Sequence, residues 1–128
     1  MRLLLDTHAV LWFIANDPQL SPTARDLIRD GGNELWYSTA SLWEIAIKLN
    51  LGKLKLGGSF PDFIDQQLAH NRIQVVPITL AHLGIVSQLA LHHRDPFDRL
   101  IIAQAIAETL PVISIDQKFD LYPVKRIW

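Results

Sequence analysis

Short apolar runs alternate with helix-spaced apolar positions along this chain. Leu3-Leu4-Leu5 is a compact run of the kind that forms a buried strand. Ser21-Pro22 offers an N-cap followed by proline at the first helical position, and Ala24, Leu27 and Ile28 mark one face of the helix that follows. Gly31-Gly32-Asn33 closes it, and Leu35-Trp36-Tyr37-Ser38 reads as a second strand. Leu42, Ile45, Ala46 and Leu49 recur at i, i+3, i+4 and i+7, which predicts a helix from about Ser41. Residues 51–58 form a turn-rich connection, expected to be the most mobile stretch. A helix is predicted from Pro61 to His70 with Phe63, Ile64 and Leu68 inward, and a strand over 75–78. Thr79 caps a helix carrying Leu80, Leu83, Val86 and Leu89 as far as about Leu91. The best-defined helix spans 96–108, followed by strands over 110–115 and 124–128.

This alternation predicts an α/β fold: a three-layer α/β/α sandwich around a mainly parallel central sheet. No repeat or linker interrupts it, and 128 residues read as a single domain over 1–128. Apolar residues make up 49% of the chain, which argues against disorder. No apolar run approaches the roughly 18 residues of a membrane-spanning helix, and the acid at Asp6 cuts short the only N-terminal run that could have been a signal core. The absence of cysteine excludes disulfides and thiolate zinc sites, and makes the cytoplasm the expected location. A net charge of −1 without a polybasic run disfavours a sequence-reading DNA binder. It leaves a nuclease open, because Lys48, Lys53, Lys55, Arg94 and Arg99 could flank a phosphate backbone.

The chemistry lies in four acids in apolar surroundings. Asp6 ends the first strand and Asp116 follows Val112-Ile113-Ser114-Ile115. Glu44 sits inside Ser41-Leu42-Trp43-Glu44-Ile45-Ala46-Ile47, and Asp98 heads a helical row continued by Ile102 and Ala105. Half-buried carboxylates are costly unless paired or holding a cation, so convergence of the four would mean a divalent metal site. In an open parallel sheet such sites form beyond the carboxyl ends of the strands, where Asp6 and Asp116 should lie. Each acid also has a bland reading. Ser41-x-x-Glu44 matches a capping box, and Glu44 stands four residues before Lys48, a favourable order for an ion pair. Asp95 suits an N-cap before Pro96, Asp98 suits the first turn of a helix, Asp6 could cap a helix from Thr7, and Asp116 could make an Asx turn. For Asp95 the cap is preferred. Among the histidines, His8 reads as a packed side chain in preference to a substrate contact, and His92-His93 as part of a loop; without H-x-x-x-H spacing, a histidine metal site is disfavoured.

In order along the chain, Leu4-Leu5-Asp6-Thr7-His8-Ala9-Val10-Leu11-Trp12, then Ser41-Leu42-Trp43-Glu44-Ile45-Ala46-Ile47-Lys48 with Gly52-Lys53-Leu54, then His93-Arg94-Asp95-Pro96-Phe97-Asp98-Arg99-Leu100-Ile101-Ile102-Ala103-Gln104-Ala105, then Ser114-Ile115-Asp116-Gln117-Lys118-Phe119, form four blocks. Together with the closing Trp128 they resemble PIN-domain proteins, particularly the VapC-type toxins of type II toxin–antitoxin pairs. The resemblance covers essentially the whole chain. It implies a PIN-like domain whose acids Asp6, Glu44, Asp98 and Asp116 bind Mg²⁺ or Mn²⁺ and cut RNA, with Asp95 beside them. It also implies a homodimer and a small VapB-type antitoxin whose C-terminal segment blocks the acidic cleft.

The expected mechanism is metal-activated attack of water on a phosphodiester, in which Asp6 and Asp98 hold the principal ion, Asp116 completes or shares a second site, and Glu44 bridges or orients water. Thr7 is expected to support the acids by hydrogen bonding, and Lys48 and Arg99 to contact phosphate. The four tryptophans, Trp12, Trp36, Trp43 and Trp128, read as core residues singly and as a dimer face or antitoxin groove as a set. Two rivals stand beside this reading. A phosphotransferase with Asp6 as nucleophile would want an acid at position 8, where His8 stands. A catalytically silent metal- or RNA-binding module would need no turnover.

Overall fold

A computed structural model describes all residues, 1–128. Five strands form one parallel sheet: β1 (Arg2–Leu5), β2 (Glu34–Ser38), β3 (Ile73–Val76), β4 (Val112–Ile113) and β5 (Arg126–Ile127), in the order β3-β2-β1-β4-β5. Six helices connect them: α1 (Thr7–Ile14), α2 (Pro22–Arg29), α3 (Thr39–Asn50), α4 (Phe60–Asp62, continued as a π-helix over Phe63–Leu68), α5 (Leu80–Gln88) and α6 (Pro96–Glu108). A 3-10 turn over Gln117–Leu121 leads to β5. No helix is long and apolar enough to cross a membrane.

Three layers follow from the alternation within β1. Leu3 and Leu5 face a core with Val10, Ala24, Ile28, Tyr37, Ile45 and Phe63, while Leu4 faces the opposite core with Ile101, Ile102, Val112 and Phe119. Helices α1 to α4 therefore cover one face and α6 the other. The predicted α/β/α sandwich is the observed architecture, with a sheet parallel throughout.

The strand order decides where chemistry can occur. From β1 the chain moves outward through β2 and β3, then returns to place β4 on the other side of β1. The carboxyl ends of β1 and β4 thus flank the switch point, where a crevice opens in sheets of this kind. Leu5 lies opposite Tyr37 and Ile113, so the residues just beyond these three strands share one rim.

Three local expectations need correction. Helix α3 starts at Thr39, capped by the Ser38 hydroxyl accepting from the Ala40 N–H, so Ser41 lies inside the helix and Ser41-x-x-Glu44 is not a capping box. The strand passes into the helix without a loop, and Ser38 serves as strand residue and cap together. Thr79 does cap α5, with the His82 imidazole closing a capping box, but the helix buries His82 and leaves Leu80 86% and Leu83 47% exposed. The last predicted helix of the first half is present in part as a π-helix, whose wide i→i+5 turn lets Phe63 and Leu68, five residues apart, both reach the core.

Candidate metal centre

Asp6 follows β1 directly. Its Oδ1 accepts from the Ala9 N–H at 2.8 Å, capping α1, and its own N–H donates to Ile113 O at 3.1 Å across the switch point. Burial raises its pKa, opposed by the Ser114 hydroxyl, the Ala9 N–H and His8, and reinforced by the charge of Asp116. Asp116 turns the chain after β4: its Oδ1 accepts from the Lys118 N–H at 2.9 Å and its own N–H donates to Ser114 Oγ. Asp95 caps α6, its Oδ1 accepting from the N–H groups of Phe97 and Asp98. The bland readings of Asp6, Asp95 and Asp116 are therefore observed. They do not compete with a metal site, because a cap occupies one carboxylate oxygen.

Asp98 projects from the first turn of α6, half-buried. Desolvation, then the charges of Asp95, Asp6, Glu44 and Asp116, push its pKa up to about 8. A field with those contributors means that the four predicted acids and Asp95 share one electrostatic neighbourhood. Glu44, only 8% exposed, reaches the same cleft from the second turn of α3. Its Oε1 lies 3.0 Å from Thr7 Oγ1, which is itself 2.9 Å from Ser41 Oγ; Thr7 can donate to the carboxylate while Ser41 donates to Thr7. Its Oε2 lies 3.0 Å from Lys48 Nζ. Beneath them the Tyr37 hydroxyl donates to Thr7 O, and burial with the charges of Asp6 and Glu44 drives its pKa well up.

The donor set fits a hard divalent cation. It consists of carboxylate oxygens on a partly buried rim, and Asp98 Oδ1 has no hydrogen-bond partner in the protein. Burial first, and then the charges of the neighbouring acids, make Asp98 hard to ionise, and a cation would offset both.

Two side chains behave differently from expectation. Arg99 is not turned to a phosphate: its guanidinium donates to the carbonyls of Leu89, Ala90 and His93, each at 3.0 Å, and clamps the loop before α6. A planar fork engaged with three carbonyls holds backbone, so the expected phosphate contact gives way to a structural one. His93, a loop residue by its sequence context, is only 6% exposed, and its Nε2 stands 2.7 Å from Asp116 Oδ2 and 3.1 Å from Asp98 Oδ2. Spacing between histidines could not reveal it, because its partners are carboxylates from other elements. The usable signal was its place two residues before the α6 cap. Lys48 lies between Glu44 and a groove of about 530 Å³ lined by Leu11, Trp12, Leu54, Leu56 and Phe63, with Lys53 and Lys55.

The PIN-domain family model matches residues 3–125. This chain belongs to the PIN-domain family. Its family supports a nuclease role, since PIN domains are generally nucleases. Solved structures of similar fold include VapBC2 from Rickettsia felis bound to a DNA fragment from its promoter (19% identity, TM-score 0.72, covering 99% of this chain and 98% of that one). They include VapBC-1 from nontypeable Haemophilus influenzae (16%, 0.69, 99% and 97%) and FitAcB from Neisseria gonorrhoeae (19%, 0.66, 98% and 96%). At these identities the likeness is one of fold. No curated protein matches the chain at a significant level.

Proposed function

We propose that this PIN-domain chain is a metal-dependent endoribonuclease, the toxin of a toxin–antitoxin pair acting in the cytoplasm. The observation that carries the reading is convergence: the charges of Asp6, Glu44 and Asp116 all act on Asp98, and Asp6 and Asp116 follow the two strands that flank the switch point. Asp6 and Asp98 would hold Mg²⁺ or Mn²⁺ between β1 and α6, with Asp116 completing the set from beyond β4. A bound ion of this kind supplies Lewis acidity toward phosphate oxygens and toward an attacking water. Glu44, steadied by Thr7 and Lys48, presents a carboxylate that can accept a hydrogen bond from that water. Lys48 also offers positive charge at the edge of the cleft for a phosphate.

The toxin assignment draws on the fold shared with VapBC and FitAB complexes, and on the apolar groove beside Lys48, whose Trp12, Leu54 and Leu56 suit an apolar segment of a small antitoxin. A homodimer is proposed with it: Trp43 is 55% exposed and Leu80 and Leu83 stand outward on α5.

Asp6→Asn tests the catalytic reading. With a mixed RNA pool and Mn²⁺ in metal-defined buffer, the variant should keep its fold by circular dichroism and lose cleavage by on the order of 100-fold or more. EDTA should abolish wild-type cleavage, and Mn²⁺ or Mg²⁺ should restore it. Undiminished cleavage by Asp6→Asn would contradict the assignment. Metal binding by the wild type without turnover on any RNA would instead favour a silent binding module.

A further inference from the structure

His93 is held from every side. Its N–H donates to the Tyr122 hydroxyl at 2.8 Å, and that hydroxyl donates to Ala90 O at 2.6 Å. Its carbonyl accepts from Arg99, and its ring meets Phe119 edge-on at 5.9 Å between centroids. The Asp95 N–H donates to Nδ1 at 3.2 Å. A backbone N–H can only donate, so Nδ1 is the acceptor and the ring hydrogen of the neutral imidazole sits on Nε2. Nε2 faces the Oδ2 atoms of both Asp98 and Asp116. This network fixes the ring's position, its tautomer and the direction of its one donor.

We propose that His93 is a positioning residue of the acid cluster: its Nε2–H bridges Asp98 on α6 and Asp116 beyond β4, turning the two carboxylates toward a shared cation without binding it. This inference rests on the metal-centre reading above and deepens it. To ligate a metal through Nε2, His93 would have to move its hydrogen to Nδ1, where it would meet the Asp95 N–H, donor against donor. As a bridge it needs no such change. It engages Oδ2 of Asp98 and leaves Oδ1 without a protein partner. The carboxylates come from different elements, the first turn of α6 and the turn after β4, and no other side chain donates to both. Outer partners that orient metal-binding groups in this way typically govern affinity by about 10- to 100-fold.

The test is Mn²⁺ binding, read by loss of the free-ion electron paramagnetic resonance signal, for wild type, His93→Ala and His93→Gln. His93→Ala should bind Mn²⁺ about 10- to 100-fold more weakly. His93→Gln, whose amide nitrogen can take the place of Nε2, should recover most of the loss. Electron spin echo modulation of Mn²⁺ on the wild type should show no coupling to a directly bound nitrogen. Strong nitrogen coupling would overturn the proposal by making His93 a ligand, and this readout needs no variant to fold. Wild-type affinity in a folded His93→Ala would overturn it too, while leaving the metal centre standing. Failure of the wild type itself to take up Mn²⁺ at millimolar concentration would remove the metal centre and this role together.

Discussion

Asp98 is where the cost of gathering acids shows most directly. Burial and the surrounding carboxylates push its pKa up to about 8, against an ordinary value of 3.8. Between those values the folded, metal-free protein holds a proton that the unfolded chain releases. Its contribution to folding is full at low pH and is lost as pH rises toward about 8. A cation makes the opposite demand, since it needs the ionised carboxylate. The rise in melting temperature produced by Mn²⁺ should therefore grow from pH 6 to about pH 8 and then level off, while the metal-free protein becomes less stable over the same interval. Thermal melts with EDTA and with Mn²⁺ across this range check both trends. An equal Mn²⁺ effect at pH 6 and pH 8 would show that Asp98 is not among the groups the metal needs. At this scale the sequence was informative about which acids matter and silent about their support. Asp6, Glu44 and Asp98 looked out of place among apolar neighbours, which is a local signal; the bridge from His93 and the hydroxyl of Thr7 on Glu44 are tertiary contacts.

Elements place these side chains through their ends. Asp6 reaches the rim because β1 stops there and α1 begins, Glu44 because α3 starts at Ser38 and Thr39, and Asp98 because Asp95 caps α6 three residues earlier. Helix α3 starts two residues before the expected Ser41, because the apolar spacing begins at Leu42 whereas the cap is set by the last residue of β2. The inward face of α5 is likewise set by its cap rather than by its leucines. The Thr79 and His82 capping box turns His82 to the interior, where Nε2 lies 3.0 Å from Glu108, and carries Leu80 and Leu83 outward. The loop before α6 depends on Arg99, whose planar guanidinium serves three carbonyls that a lysine ammonium cannot match. Arg99→Lys should lower stability in urea by about 1.5–3 kcal/mol, the range for hydrogen bonds to a charged group. If Arg99 instead served chiefly to hold phosphate, that substitution would leave the urea midpoint unchanged and raise KM.

For the whole molecule, strand order determines whether the acids can meet. Alternating strands and helices made a parallel α/β/α sandwich legible from the sequence, and four ordered blocks pointed to the PIN family that the chain belongs to. The order β3-β2-β1-β4-β5 was not legible, because nothing local tells β4 to return beside β1. That return brings β4 alongside the first strand, and without it Asp116 could not influence Asp6. The central claim is that this junction holds a divalent cation, and the most direct measurement is anomalous diffraction from crystals grown with Mn²⁺. An anomalous peak bounded by the carboxylates of Asp6 and Asp98, and lost in Asp6→Asn, is the predicted result. Mn²⁺ found only at other surfaces, or none bound at millimolar concentration with the cleft open to solvent, would contradict it.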